Sequence, residues 1–536
     1  MKSLVFLGVN ASYSHSSLAA WRLQSVTDPQ DWRWLTVEAT PKDDPVKVVE
    51  RVLEAAPDVV AATLYLFNRD YVMVVLRAVR AARPQCRIVV GGPECLGDTR
   101  GLRQPAGVAD ATLRGEGELA FPALLNRWRE GKAWDDIPGL GDGTVAEAIS
   151  DLDALPPLYA SRLAGFDKPF IQLETSRGCS NGCLFCTSRK TPHRIHSLDR
   201  VRGDLTAIAA AGIREVRVLD RTFNEDSERA AALIRLFRDE FPGTRFHLEI
   251  DPARFGGALA GEFARAEPGR FHLEAGIQSL NPQVYGKIER EATVPRTLAG
   301  LTRLCGMKNL EIHVDLIAGL PGGTWADVVA DVRVLMVLEP AEIQLERLKL
   351  LPGTPLAQDP ARWELEASSV PPYAVTRTGG MSAGELDRAD RLSRVIDRFY
   401  NVPALRPVMA EAVRLDPEFL EAIESAEGLG LDTDGCQNLE DRFLALDRRL
   451  AARPERFGTL LHRLRYTWFR LGFSARLGPI PATAWKAPIP ATAELVEGDG
   501  AAPVARVWRV DLEAPYLFCY GTDPRGARTV VAVYRL

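Results

Sequence analysis

Glu174-Thr-Ser-Arg-Gly-Cys179-Ser-Asn-Gly-Cys183-Leu-Phe-Cys186 decides how the rest of this chain is read. Its three cysteines follow a Cys-x3-Cys-x2-Cys spacing in a short Gly-containing loop, directly after the β-rich run 170–173. Thiolates so close in sequence can converge on one small object. A structural zinc site takes four protein ligands, usually as two close pairs, and no second pair lies nearby. A cubane 4Fe-4S cluster has four irons, and three thiolates leave one of them open to another ligand. An iron–sulfur cluster held by Cys179, Cys183 and Cys186 is the expected metal centre.

Working outward, the segments after the loop alternate between helical and strand periodicity. The pattern predicts helices over 197–211, 226–241, 255–266, 294–305 and 325–338, and strands over 215–219, 245–250, 270–275, 311–317 and 342–348. With the strand before the cysteines this makes six β/α steps, which suits an open, partial (β/α)6 barrel of TIM type over residues 170–358. Active sites of such barrels gather at the carboxyl ends of the strands. Those ends read Asp220-Arg221-Thr222-Phe-Asn224, Glu249 with Asp251, Glu274-Ala-Gly276-Ile-Gln278-Ser279, Asp315-Leu-Ile-Ala-Gly319-Leu-Pro-Gly, and Gln344-Leu-Glu346-Arg347. Polar groups at five successive ends point to a site. His247, His272 and His313 alternate along strands but show no zinc-enzyme motif, so they are expected as core or supporting groups, with a proton shuttle among them as the alternative.

Upstream, residues 1–150 also alternate between strands (4–9, 59–67, 87–90) and helices (46–56, 71–82), which predicts a parallel doubly wound sheet. Ligands of such sheets bind beyond the carboxyl ends of the strands. There the chain carries Asn10-Ala-Ser-Tyr-Ser-His15, Tyr65-Leu-Phe-Asn68-Arg69, Gly91-Gly92-Pro-Glu94 and Arg114-Gly115-Glu116-Gly-Glu118, a polar and aromatic platform for a large flat ligand. No Gly-x-Gly-x-x-Gly opens the first helix and no phosphate-binding Gly-x4-Gly-Lys-Ser/Thr is present, so nucleotide readings are weak. Residues 151–169 are Pro-bearing and read as a linker. Residues 359–536 read as a mainly helical α+β domain, with helices over 383–399, 411–425, 439–450 and 456–471, strands over 504–510, 515–520 and 529–534, and a turn over 521–526.

At 536 residues the chain is long enough for two or three domains. With 46% hydrophobic and 26% charged residues it has ordinary globular composition. A net charge of −5 leaves no electrostatic footprint for nucleic acid. Cys86, Cys95, Cys305, Cys436 and Cys519 form no disulfide framework, which suggests a reducing cytoplasm. No apolar run approaches a membrane span, and the start, too short and quickly polar for a signal peptide, reads as a first strand.

The cysteine loop, with Phe185 before its third cysteine, resembles the signature of the radical S-adenosylmethionine (SAM) enzymes. In that family the open iron chelates the amino and carboxylate groups of SAM, and an electron from the cluster cleaves it to a 5′-deoxyadenosyl radical. The Gly-Ile-Gln-Ser and Asp-Leu-Ile-x-Gly-Leu-Pro-Gly segments look like SAM-cradling strand ends. By that resemblance Gly276, Gln278, Asp315 and Gly319 lie along SAM, with Glu249 beside them. The common Gly-Gly-Glu element for the SAM amino group is missing, and Asp220, Arg221, Thr222 and Asn224 stand in its place.

A Rossmann-like sheet before such a loop resembles the cobalamin-binding subgroup. This implies cobalamin contacts at Asn10, Tyr65, Asn68, Arg69, Gly91, Gly92, Glu94, Gly115 and Glu116, with the Tyr65 to Arg69 loop under the corrin. The Asp-x-His-x-x-Gly cobalt-ligand signature is absent, and His15 lies outside any such motif. Asn-Ala-x-Tyr-x-His near the start, Asp-Arg-Thr-Phe-Asn, Pro371-Pro-Tyr373 and Tyr400-Asn401 resemble a subfamily of this type with a C-terminal domain of unknown function, expected to close the barrel mouth and select the substrate.

The resemblance implies a methyltransferase that uses cluster, SAM and methylcobalamin on an unactivated carbon of a small molecule or peptide, with a flavodoxin- or ferredoxin-type electron donor. Radical rearrangement, cyclisation or polar methylation on the same scaffold is the alternative. A cobalamin- or redox-sensing module is the alternative of another class. Methylthiotransferase chemistry is disfavoured, because Cys86 and Cys95 cannot make a second three-cysteine cluster.

Overall fold

The computed structural model describes the chain except residues 105–106, 141–143, 162, 426–437, 501 and 523–527. Cys436 and most of the expected turn 521–526 therefore lie outside the described residues. The chain divides into two compact units, residues 1–324 with 347–386, and residues 325–346 with 387–536.

In the first unit, five parallel strands form the N-terminal sheet in the spatial order Trp32–Ala39, Lys2–Val9, Val59–Thr63, Arg87–Gly91, Ala111–Thr112. Val5, Leu7, Val60 and Val90 face one buried cluster and Leu4, Phe6, Val59 and Val89 the other, so both faces of the sheet are covered. The apolar runs reflect that double burial. The strand Trp32–Ala39 and the helices Leu18–Ser25 and Gly117–Glu130 were not anticipated. Trp32–Ala39 shows mixed burial at the sheet edge, so it lacks the continuous apolar run that marks an inner strand. The strand order reverses between Lys2–Val9 and Val59–Thr63, the position where doubly wound sheets open a crevice.

A second parallel sheet in the same unit sets Ile171–Leu173, Glu215–Val218, Arg245–Ile250, Phe271–Gln278 and Glu311–Ala318 side by side in chain order, with helices between them. Burial along Arg245–Ile250 and Phe271–Gln278 alternates strictly. Phe246, Leu248, Ile250, Phe271, Leu273 and Ala275 are buried on one face, with Phe237 stacked 4.2 Å from Phe246. On the other face stand Arg245, His247, Glu249, His272, Glu274 and Gln278, all part-exposed. A parallel strand buried on both faces reads as a continuous apolar run, so this alternation leaves one polar face lining an interior open to water or ligand.

The second unit holds the helix Trp325–Leu338, the strand Glu342–Arg347 up to Glu346, and the C-terminal elements. The helix expected over 411–425 is two, Arg406–Leu415 and Phe419–Glu424, divided at Asp416-Pro417, where proline disfavours helical backbone at the residue before it. An antiparallel sheet follows in the order Ala482–Trp485, Arg506–Asp511, Pro515–Thr522, Arg528–Arg535, Glu494–Gly498. The first and last of these strands were missed, because both are largely exposed edges with little apolar pattern. Among the described residues no helix is long and apolar enough to cross a membrane.

Candidate active site

The cysteine loop is slung from a hairpin. Ser176–Cys179 pairs antiparallel with Thr191–Ile195, and Gly178 within it has φ +98°. A Cβ at Gly178 would lie 2.1 Å from the Pro192 carbonyl oxygen, so only glycine fits. The Cys179 N–H donates to Thr191 Oγ1 at 3.1 Å, the Cys186 N–H to the Cys183 carbonyl at 3.1 Å, and the Lys190 N–H to the Asn181 carbonyl at 3.0 Å.

Asp220 anchors the hairpin from below. It is fully buried, and its carboxylate accepts from the Thr175 N–H at 2.8 Å, the Ser176 N–H at 2.9 Å and the Thr175 hydroxyl. Asn224 is likewise buried, bonded to both the N–H and the carbonyl of Asp251. These two predicted SAM contacts are therefore spent on backbone and do not line the cavity. Burying a polar side chain is tolerated when backbone satisfies it in this way.

Cys179, Cys183 and Cys186 line one cavity of about 240 Å³. Phe185, Arg221, Thr222, Glu249, Gly276, Gln278 and Asp315 line it too, so the structure brings seven predicted residues to the cysteines. Gly319 (φ +88°) stands apart, next to Leu386 and Thr378. Gln278 has φ +66°, and a bulge interrupts the pairing between Gly276 and Gln278. A non-glycine residue in that region costs of order 1–3 kcal/mol, a strain concentrated at functional sites. The Gln278 amide folds over Gly276, 2.6 Å from where a Cβ would stand.

Arg290 completes the wall and was missed, since it follows a short helix, Pro282–Lys287, and no strand end announces it. Its guanidinium donates to the Gly276 carbonyl at 2.6 Å and lies 3.8 Å from Asp251. Burial works against its charge, but Tyr285, Asp251 and the cysteines raise its pKa.

Burial pushes the Cys183 thiol up to about 11 and raises Cys186 as well. A bound metal reverses that preference, because the thiolate is the ligand. The donor set fits a 4Fe-4S cluster: three sulfurs meet at one cavity, and no fourth cysteine or histidine lines it among the described residues. Burial pushes Glu249 up to about 7, with Arg221 pulling the other way.

At the carboxyl edge of the N-terminal sheet the predicted residues separate by role. Asn68 is buried and pins the crevice, donating to the Val9 carbonyl at 2.8 Å and the Thr63 carbonyl at 3.1 Å while accepting the Tyr65 N–H at 2.8 Å. Tyr65 and Phe67 stack with centroids 5.5 Å apart and stay half-exposed, a flat aromatic shelf at the switch point. Arg69 lies 3.4 Å from the buried Glu94, which also accepts from the Tyr373 hydroxyl at 2.5 Å. The Pro371-Pro-Tyr373 motif thus serves this edge.

Gly91 has room for a side chain, whereas at Gly92 (φ +96°) a Cβ would meet Thr63 at 2.6 Å and at Gly115 (φ +99°) Val145 at 2.8 Å. Glu116 faces the hairpin: its carboxylate receives Arg177 at 3.1 Å and Arg194 at 3.0 Å, and Arg177 also pairs with Glu118 at 2.7 Å and Glu174 at 2.9 Å. Asn10 donates to the His15 carbonyl at 3.1 Å, and His15 packs edge-on against Phe170. An aromatic shelf with part-exposed polar neighbours, Arg69 and Asn10, fits a corrin ring.

Residues 173–335 match the sequence model of the radical SAM superfamily, and residues 5–125 that of the B12 binding domain. An uncharacterized methyltransferase of Pyrococcus horikoshii is 26% identical over 321 residues, covering 56% of this chain and 68% of that protein. The hopanoid C-3 methylase of Methylococcus capsulatus is 31% identical over 172 residues, 29% of this chain and 33% of its own length, so this chain spans about a third of that relative. In fold the chain is similar to the radical SAM methyltransferase TsrM of Kitasatospora setae, solved with cobalamin and a [4Fe-4S] cluster, with TM-score 0.58 and 16% identity over 87% of this chain and 99% of TsrM. The cysteine cavity and the aromatic shelf of the N-terminal sheet stand in one chain within the radical SAM and B12-binding sequence matches, which makes it a cobalamin-binding radical SAM enzyme, whose cofactors are a 4Fe-4S cluster, SAM and cobalamin.

Proposed function

We propose that this enzyme is a methyltransferase that modifies an unactivated carbon of a small molecule or peptide. The observation that carries the reading is the meeting of three cysteines, Gln278, Asp315 and Arg290 at one cavity, in the same compact unit as a B12-type sheet. When bound, the cluster supplies the electron that cleaves SAM, and cobalamin carries the methyl group. Cys179, Cys183 and Cys186 hold the cluster. Arg290 and the strained Gln278 offer hydrogen bonds to SAM, and Asp315 and Glu249 balance its positive charge. The buried Asp220 clamp and the Glu116 ion pairs hold the hairpin still, and preorganised polar groups cost no reorganisation during reaction. Tyr65 and Phe67 are assigned to the corrin face, Asn68 to the shape of its crevice.

An electron donor is required; a flavodoxin- or ferredoxin-type protein of the cytoplasm suits the cluster. Anaerobic purification with iron, sulfide and hydroxocobalamin supplied, then desalting, tests the reading. We expect about four irons and one cobalamin per chain, with Cys183→Ala losing only the iron. Cluster without cobalamin would reduce the N-terminal sheet to a scaffold and remove the methyl carrier from the proposal.

A second reading, polar methylation of an acceptor that gives up a proton, has an observation of its own. Glu249, Glu274 and Asp315 all line the cavity, and burial pushes Glu249 up to about 7, the range of a general base. Stoichiometric 5′-deoxyadenosine in the methylated product mixture separates the radical route from this one.

A further inference from the structure

The short helical turn Pro252–Arg254, which follows the strand Arg245–Ile250, forms a wall with two sides. Asp251, which caps the turn, lines the cysteine cavity, while Ala253 and Arg254 line a second hollow of about 540 Å³. The Arg254 guanidinium reaches across the wall. Its Nη2 donates to Ser180 Oγ at 3.1 Å, between Cys179 and Cys183, and its Nε lies 3.8 Å from Asp251. Gly300 lets the helix Val294–Gly306 close on this turn, because a Cβ there would lie 1.9 Å from the Pro252 carbonyl oxygen. The hollow is therefore one turn of chain away from the cysteine loop.

Its charge is one-sided. Arg254, Arg296 and Arg303 line the hollow against a single carboxylate, Glu228. Arg254 is partly balanced by Asp251 and by Glu225 at 3.7 Å. Arg296 and Arg303 are exposed and have no acidic partner among the described residues, and Arg303 donates to the Phe255 carbonyl at 3.5 Å. Along the same cysteine loop Arg189 donates to the Gly182 carbonyl at 2.8 Å, and Arg189 and Lys190 share the one carboxylate of Glu289, which extends the positive excess. A small-molecule pocket encloses its ligand between apolar walls with a few convergent polar groups. Here the two free cations stand in solvent, and at Gly257 (φ +52°) an added Cβ would meet nothing within 4 Å, so the floor lies open. An open basic surface of this kind complements acidic side chains on another protein.

We propose that this hollow is the docking surface of an acidic one-electron carrier protein that reduces the cluster. The docking rests on reductive SAM cleavage at the cysteines and is independent of the methyl acceptor. One electron leaves the carrier and one enters the cluster, with no bond made or broken and no proton transferred. With SAM and the acceptor in the cysteine cavity, a carrier has to approach from outside it. The turn Pro252–Arg254 is where a basic surface lies against the cysteine loop from outside that cavity. Exposed arginines steer an acidic partner to this place, and a small charged interface releases it after each electron.

Calorimetric titration of the full-length chain with a flavodoxin of strongly negative net charge tests the surface, first without the cluster and then with it. The salt is held at about 0.1 M, where charges farther than about 10 Å apart are largely screened. The double variant Arg296→Glu with Arg303→Glu is expected to raise Kd roughly 10-fold or more. Arg77→Glu with Arg100→Glu makes the same charge change at exposed arginines elsewhere and should leave Kd near the wild-type value. Arg296→Gln with Arg303→Gln repeats the measurement if the glutamate pair misfolds. In the loaded chain the glutamate pair should slow cluster reduction by reduced flavodoxin by a similar factor and leave reduction by dithionite unchanged. Carrier binding and reduction equal to wild type in both Arg296/Arg303 variants, or inorganic phosphate bound in the hollow without effect on the carrier, overturns the docking. A cluster that dithionite cannot reduce would count against reductive SAM cleavage itself, and the cluster-free titration would still decide the docking.

Discussion

Glu249 shows how a single residue at this site opposes stability. Its folded pKa of about 7 lies above the ordinary 4.5 because burial disfavours the carboxylate. Between these values the folded chain keeps a proton that the unfolded chain gives up, so stability falls as pH rises through the window, by about 3 kcal/mol, and levels off above it. Glu249→Gln should remove that loss. Denaturant midpoints of the cofactor-free chain at pH 5 and pH 8 are expected to show the variant gaining on the wild type at the higher pH; parallel pH dependence would refute it. The cysteines and Glu249 were legible in the sequence because their chemistry depends on residue type and on position at a strand end. Arg290 was not, because only the folded path of the chain after Pro282–Lys287 brings it to the cavity.

The hairpin that carries the cysteines is the element on which the site depends. Gly178 sits against the Pro192 carbonyl, and an added Cβ at 2.1 Å forces the strands apart. Gly178→Ala is expected to cut iron per chain after reconstitution to a small fraction of wild type while hydroxocobalamin binding persists, read by iron assay and by the cobalamin spectrum. Asp220→Asn weakens the same hairpin differently. It keeps the shape but places an amide where three donors converge, and loss of a buried charge-assisted acceptor costs about 2 kcal/mol. A lower thermal midpoint, with SAM affinity of the loaded chain unchanged, is the expected result. A selective loss of SAM affinity would return Asp220 to the SAM contacts that the sequence suggested. The spacing of cysteines announced a loop, but two short strands with no apolar alternation gave no sign that a hairpin framed it.

At the scale of the whole molecule, the compact units cut across chain order. The helix Trp325–Leu338 lies within the stretch read as barrel, yet it groups with the C-terminal residues. Trp325 Nε1 donates to Glu421 at 3.1 Å under the Arg388 guanidinium, and Asn401 holds both the N–H and the carbonyl of Ile343. Ending the chain at Leu386 leaves the buried face of Trp325, Val328, Val332 and Leu335 without its partners. Such a fragment is expected to aggregate on expression; a soluble fragment that still loads iron would show that these contacts are dispensable. Deleting the C-terminal region therefore tests stability before it tests substrate choice.

By itself the sequence determined the chemistry and the repeating plan. Cysteine spacing names a cluster, strand-end polarity names the edge where it opens, and apolar periodicity names two parallel sheets, because each is a local property of neighbouring residues. Tertiary structure alone decided which polar residues reach the cavity and which hold backbone. Asp220 and Gln278 look alike as polar strand ends; one is buried under three donors and the other is turned by a bulge into the cavity. It also decided that His247, His272 and His313 form one file, since register across strands brings together residues that lie far apart in the chain.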